Sequence, residues 1–326
     1  MSRGLSLGLR VIGACLLLAG LLYFIDVDPL LSLFGEMSLS HYGLAFALVI
    51  AGTFISTARW GLLLSSVNLR INYFRLLAIY YIGSFFNVYL PSTVGGDVIR
   101  IALAHKSTGR LLRSGSSVLA ERALGLTALW TIASVAFLLN IPLLWPTPAL
   151  RGILLCVTAG TAVSLFAIGF PQRMHAILSA TLTFLPVWRL PFLEKGMRKL
   201  LIVLADIASR RSTLWLSFGV SIVFQLLSVV VKIIVCEALH IDIDPYVLFV
   251  ISPIINTVVM VPVSIAGIGL REWSSVVLFG MAGIQPEQAV AISLATFGLI
   301  LGNALVGGGV YLVWNIRQAA VQWSEE

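Results

Sequence analysis

Eight ionisable residues stand inside apolar stretches or at their interruptions: Arg59, Asp97, Arg100, Glu121, Arg122, Lys232, Arg271 and Glu272. A charge near the centre of a bilayer costs roughly 2.5–3.5 kcal/mol on insertion scales, so such groups are functional candidates by default. Five are cations and three are anions, whereas purely structural pairing would leave no surplus. A surplus buried cation calls for an anion, and arginine offers a planar fork that fits phosphate. Two of the arginines follow glycines: Gly95 and Gly96 lead into Asp97 and Arg100, and Gly267 and Gly269 lead into Leu270 and Arg271. A helix starting after such glycines presents free N–H groups and a partial positive charge, and glycine lets a ligand approach the backbone closely. A phosphate clamped between the two tips by Arg100 and Arg271 is the expected chemistry, with Asp97, Glu121 and Glu272 positioning the arginines or exchanging protons and Arg122 a further substrate-binding candidate. A purely structural account is open for each. Asp97 would cap its helix, Glu121 and Arg122 would pair with Arg100 or Glu272, and Lys232 would snorkel outward from its span. Arg59 and Lys232 are secondary candidates. So are Asn87 and Asn256, which precede the interruptions and would satisfy freed backbone.

The elements that hold these residues follow from composition. Of 326 residues, 59% are hydrophobic and 11% charged, with a mean hydropathy of +1.01. A soluble domain carries about 25% charged residues, so the bilayer is the solvent, and its spans are helices or a closed barrel. The apolar runs are long and continuous rather than alternating, which selects helices. Cys15, Cys156 and Cys236 lie within apolar runs and read as core residues. His41, His105, His175 and His240 lack metal-site spacing. No Gly-rich nucleotide loop ends in Lys-Ser or Lys-Thr. No metal, cofactor or nucleic-acid partner is expected. The basic N-terminus (Arg3, Arg10) runs into an apolar stretch without a small-residue cleavage site and reads as a first span.

Six full spans are predicted at Leu9–Ile25, His41–Ser66, Ser116–Asn140, Ala149–Phe170, Thr213–Leu239 and Ala289–Trp314. Two shorter apolar pieces, Phe74–Leu90 and Tyr246–Val261, run into Pro- and Gly-containing breaks. Basic residues gather in alternate loops, acidic ones in the others. Arg70, Arg75, Lys106, Arg110 and Arg113 fall on one side and Asp26, Asp28, Glu36, Asp242, Asp244 and Glu287 on the other. Cytoplasmic loops accumulate Lys and Arg, so both termini are expected in the cytoplasm. Because basic clusters flank Phe74–Leu90 on both sides, that piece is expected to enter from the cytoplasm, break at Pro91 and return. The expected organisation is a first membrane repeat over 1–170 (hairpin 74–106), a basic linker over 171–211, and a second repeat over 212–326 (hairpin 246–283). In the linker, Leu193, Met197, Leu200, Leu204 and Ile207 fall near helical spacing among Lys195, Arg198 and Lys199. That suits a basic amphipathic helix on the anionic leaflet, and an ordinary cytoplasmic loop equally.

The breaks repeat one another. Counted from Pro91 and Pro262, each has a small residue at +4, Gly at +5 and Arg at +9. Arg59 precedes Pro91 by 32 residues and Lys232 precedes Pro262 by 30. Span, hairpin and span thus occur twice in opposite orientation. Such inverted repeats build transporters, with the site near the midplane where broken helices meet. The expected fold class is an all-α polytopic membrane protein with about six full transmembrane helices and two Pro/Gly-broken re-entrant hairpins in an inverted repeat.

On these residues the chain resembles a known family. Asn87-Val88-Tyr89-Leu90-Pro91 leading to Gly95, Gly96, Asp97 and Arg100 looks like the first signature of the flippase-like transmembrane domain of lysylphosphatidylglycerol synthases. Glu121-Arg122 followed by Gly125-Leu126 resembles the second, and Pro262 through Gly267, Gly269, Arg271 and Glu272 the third. The resemblance covers nearly the whole chain. It implies an integral membrane protein that moves or binds lipids, such as aminoacyl-phosphatidylglycerol flippases, hopanoid-associated transporters and proteins of polyprenyl-linked glycan pathways. Aminoacylating members append a large soluble transferase domain, whereas this sequence stops at Glu326, shortly past its last span. The translocase half is therefore expected without the synthase half.

The leading expectation is a flippase, not an enzyme, that moves an anionic lipid (a phospholipid or a polyprenyl-phosphate-linked saccharide) across a bacterial-type cytoplasmic (inner) membrane. A second reading is a membrane-embedded enzyme acting on a lipid phosphate or glycosyl donor, with Glu121, Asp97 or Glu272 as acid and base. It lacks a metal cluster or a His-centred constellation. A third is an accessory subunit that docks a soluble glycosyl- or aminoacyl-transferase through the basic linker.

Overall fold

The computed structural model describes residues 26–89, 95–139, 148–170, 173, 210–260 and 267–323, and the described residues form ten helices and no strand. In chain order they are α1 (Val27–Gly35), α2 (Leu39–Ser66), α3 (Tyr73–Tyr89), α4 (Gly95–Thr108), α5 (Leu111–Leu139), α6 (Pro148–Gly169), α7 (Arg211–Ala238), α8 (Pro245–Val259), α9 (Leu270–Gly280) and α10 (Pro286–Trp323). The protein is an all-α membrane protein. Five helices are long and apolar enough to cross a bilayer: α2, α5, α7, Arg151–Gly169 of α6 and Pro286–Ile316 of α10. They coincide with five of the six predicted spans. The sixth, Leu9–Ile25, lies outside the described residues, as does the amphipathic stretch of the linker.

The remaining core helices are short. α3, α4, α8 and α9 have 17, 14, 15 and 11 residues. At about 1.5 Å per residue they extend roughly 17–26 Å, below the ~30 Å of a hydrocarbon core. By contrast α2 and α7 have 28 residues each, or about 42 Å. Each break predicted from Pro91 and Pro262 falls between two short helices, and residues 90–94 and 261–266 themselves lie outside the described residues. α1 has no counterpart among the predicted elements. It is a nine-residue helix in an acidic loop, packed on α10.

The long helices that lead into the two hairpins end alike. Asn68 and His240 adopt the left-handed conformation, with φ of 57° and 53°. Leu69 N–H donates to Leu64 O and Asn68 N–H to Ser65 O; Ile241 N–H donates to Cys236 O and His240 N–H to Glu237 O. Both are Schellman motifs, which satisfy the last carbonyls and bury the following apolar residue. Leu69 and Ile241 are buried.

Packing across the molecule is reciprocal. α2 lies along α7, α3 packs on α10, and α8 packs on α5. The leading helix of each hairpin therefore rests on the long helix that follows the other hairpin. The α3–α10 crossing depends on Gly307, where a Cβ would sit 2.1 Å from the Tyr81 carbonyl oxygen. Small residues of this kind let membrane helices approach at backbone distance.

Candidate functional site

The first half holds a cluster of five charges, four of them buried and Arg122 half open. Arg100 leaves the second turn of α4, and its guanidinium lies over two adjoining aromatic rings, the centroids of Trp60 and Tyr80 each 4.2 Å away. Its Nη2 donates to Glu121 Oε2, and its Nη1 lies 3.6 Å from Asp97 Oδ1. Glu121, on α5, accepts at Oε1 from Arg59 Nη2 at 2.8 Å and from the Tyr80 hydroxyl at 3.2 Å. Arg59 also donates to Ser221 Oγ of α7 at 3.1 Å. Asp97 Oδ2 receives Arg122 Nε and Nη2, both at 2.7 Å. Arg59, Asp97, Arg100 and Glu121 are each no more than 5% exposed. Charge burial on this scale is tolerable only with several hydrogen bonds per carboxylate. Three cations face two anions, so the cluster keeps one positive charge.

The hairpin is shaped to bring Arg100 there. At Gly83 of α3 a Cβ would lie 2.4 Å from Arg100 Cγ, and at Gly96 one would lie 2.0 Å from the Gly83 carbonyl oxygen. Two glycines thus permit the α3–α4 contact over which the Arg100 side chain passes. Gly96 N–H donates to Asn87 Oδ1 at 2.9 Å, the backbone-satisfying role expected for Asn87.

The cluster lines a cavity of about 200 Å³. It adjoins a larger one of about 450 Å³, the two sharing Tyr80, Ser84, Asn87, Leu129, Gln225 and Met260 in their walls. The larger cavity lies between the halves, with walls from α2, α3 and α5 on one side and α7, α8, α9 and α10 on the other. Its charged wall residues are Lys232 and Arg271. Lys232 is buried and donates from Nζ to Asn256 Oδ1 at 3.2 Å. Arg271 lies over the Phe297 ring, 4.7 Å from its centroid. No carboxylate belongs to the described wall. The adjacent Glu272 turns back on its own helix, accepting from Gly269 N–H at 2.6 Å and from Ser293 Oγ at 3.2 Å. Gly269 has φ of 80° and Gly267 of 77°, conformations that glycine adopts readily and that shape the start of α9.

The predicted residues therefore fall into two groups. Arg59, Asn87, Asp97, Arg100, Glu121 and Arg122 line the small cavity, while Lys232, Asn256 and Arg271 line the large one, with Asn87 shared. Arg100 and Arg271 do not share a cavity, so the expected clamp between these two is not formed; Arg100 is enclosed by Trp60, Tyr80, Glu121 and Asp97 instead. Lys232 does not snorkel, because its side chain points into the cavity between the halves, where an amide oxygen is available. Asn256 serves Lys232 rather than freed backbone. Glu121 pairs with Arg100 as one reading anticipated, and with Arg59 besides, whereas Arg122 pairs with Asp97. Gly95 and Gly96 are buried at the start of α4.

Tyr80, Trp60, Ser221 and Gln225 were not anticipated. One available signal was the polar row Ser217, Ser221, Gln225, Ser228 and Lys232 along α7. Its spacing of three and four residues marks one face of an otherwise apolar helix.

Residues 7–307 match the family model described as the lysylphosphatidylglycerol synthase TM region, and the chain belongs to this family. No curated protein and no solved structure matches it.

Proposed function

We propose that this member of the family is a lipid translocase that carries an anionic lipid across the cytoplasmic membrane, with the phosphate of the head group bound between Lys232 and Arg271. The observation that carries this reading is the large cavity. It has the volume of a ligand site and is lined by the buried Lys232 and the half-buried Arg271, and a positive surplus at membrane depth needs an anion. The neighbouring arginine cluster adds a further positive charge at the rim, with Arg122 half open. Chemistry on the lipid is disfavoured because the buried acids are engaged. Glu121 is bound by two arginines and a tyrosine, and Glu272 by a backbone N–H and a serine.

The reciprocal packing of α3 on α10 and α8 on α5, and the paired Schellman ends, support an inverted repeat of the kind that alternates access. One half rocks on the other along the α2–α7 seam and exposes the cavity to either side in turn. Both termini lie on the cytoplasmic side in this arrangement, as the basic loops require. The test is translocation of a fluorescent anionic phospholipid in proteoliposomes. Wild type transports, and the Lys232→Gln, Arg271→Gln double variant inserts and folds but does not. Unimpaired transport by the double variant would sink the mechanism.

A further inference from the structure

We infer that the larger cavity selects head groups in which a phosphate carries a neutral, hydroxyl-bearing substituent, and rejects those that carry an amine. This inference rests on the proposal that the cavity takes a lipid head group. Its wall pairs two cations with neutral hydrogen-bonding groups. Lys232 and Arg271 are the charges. Asn87, Gln225, Asn256 and Asn303 contribute four amides. An amide both donates and accepts, so a set of them suits a polyol, whose hydroxyls do the same. Asn303 accepts from Thr53 Oγ at 3.4 Å, Asn256 from Lys232 and Asn87 from Gly96 N–H, while Gln225 Nε2 donates to Gly125 O at 3.4 Å, so each amide is held in place and keeps further hydrogen-bonding capacity.

What the wall lacks matters as much. A carboxylate is the group that would pair with an ammonium bound here. Glu272 points to Gly269 and Ser293, and Asp97 and Glu121 hold three arginines in the adjoining cavity. The segment 261–266 contains no acidic residue that could supply one. Even counting Glu272 against Lys232 and Arg271, a positive charge remains. In a desolvated cavity that charge attracts phosphate and repels a second cation, so the same residues bind one class and exclude the other. A lysyl-bearing lipid brings two amines, and phosphatidylethanolamine brings one. A glycerol or hexose on the phosphate brings none.

The experiment measures binding of four lipids to the purified full chain by native mass spectrometry in detergent: phosphatidylglycerol, a polyprenyl-phosphate hexose, phosphatidylethanolamine and lysyl-phosphatidylglycerol. At least one of the first two is expected to bind tenfold or more tightly than either amine lipid, and which of them binds identifies the source of the phosphate. In Lys232→Glu the ratio should move at least tenfold towards the amine lipids. If that variant does not fold, the wild-type series decides alone. Equal binding of amine lipids overturns the selectivity and leaves the head-group site standing. Binding of none of the four overturns both.

Discussion

The two halves of this protein begin from similar sequence and handle buried charge in opposite ways. In the first, Arg59, Arg100 and Arg122 are tied to Glu121 and Asp97, and Arg100 is further enclosed by Trp60 and Tyr80. In the second, Lys232 and Arg271, at the corresponding places before and after the break, line a cavity, Lys232 on the Asn256 amide and Arg271 over the Phe297 ring. Glu121 has no acidic counterpart at the matching point of α10, where Ile292 and Ser293 stand. Asp97 has none either, Ile268 standing at its place, so the arginines of the first half are held by carboxylates while Lys232 and Arg271 line a cavity without one in its described wall. Similar sequence at the two breaks therefore does not give similar charge environments: the first half holds three arginines on two carboxylates, and the second presents a lysine and an arginine to a cavity.

The largest expected effect is at Glu121. Glu121→Ala leaves Arg59 and Arg100 buried without their shared carboxylate and should destabilise the protein by about 3–5 kcal/mol. Thermal unfolding in detergent checks this, and a loss below about 1 kcal/mol would dissolve the contrast between the halves.

Next is the close approach that seats Arg100. Gly83→Leu forces bulk into the path of the Arg100 side chain and should cost about 1–3 kcal/mol or more, as overpacking does. Gly309→Leu, where a Cβ meets open space, should be tolerated. The same unfolding measurement separates them, and equal effects would contradict the packing described at Gly83.

Lys232→Met sharpens the comparison because its sign is opposite. Removing a buried cation that lacks a carboxylate should leave stability unchanged or raise it by roughly 1 kcal/mol, while transport is lost. A destabilised Lys232→Met would mean that the second half also uses its cation as structure.

The smallest effects test the likeness of the halves. Asn68→Gly and His240→Gly relieve the same left-handed conformation and should each stabilise by up to about 1 kcal/mol. Values that differ widely between the two would argue against equivalent helix ends.

Much of the architecture was legible in the sequence because its physics is one-dimensional. Hydropathy over twenty residues locates spans wherever the solvent is hydrocarbon, and proline with glycine marks the interruptions; α2, α5, α6, α7 and α10 followed from this. The candidate residues were legible for the same reason, since a charge in an apolar run is conspicuous. Their partnerships were not. Whether Arg100 meets Arg271 or Glu121 depends on how α4 and α9 are rotated about their axes, and that is set by contacts far away in sequence, such as Gly83 with Gly96. Lys232 looked free to reach the interface because its position along α7 was readable and its face was not. The polar row from Ser217 to Lys232 carried that information, yet serine in a membrane helix is common enough to pass as filler. Tyr80 and Trp60 lay hidden for a similar reason. Aromatic residues are ordinary in apolar helices, and only the fold reveals two of them packed on one guanidinium.

The central claim is that Lys232 and Arg271 hold the phosphate of a lipid. Its most direct test is mass spectrometry of the lipids retained by the gently purified protein, wild type beside the Lys232→Gln, Arg271→Gln double variant. Enrichment of one anionic lipid class on the wild type, lost in the variant, is the predicted result. Identical lipid profiles on two equally folded proteins would contradict it and return both cations to a structural role.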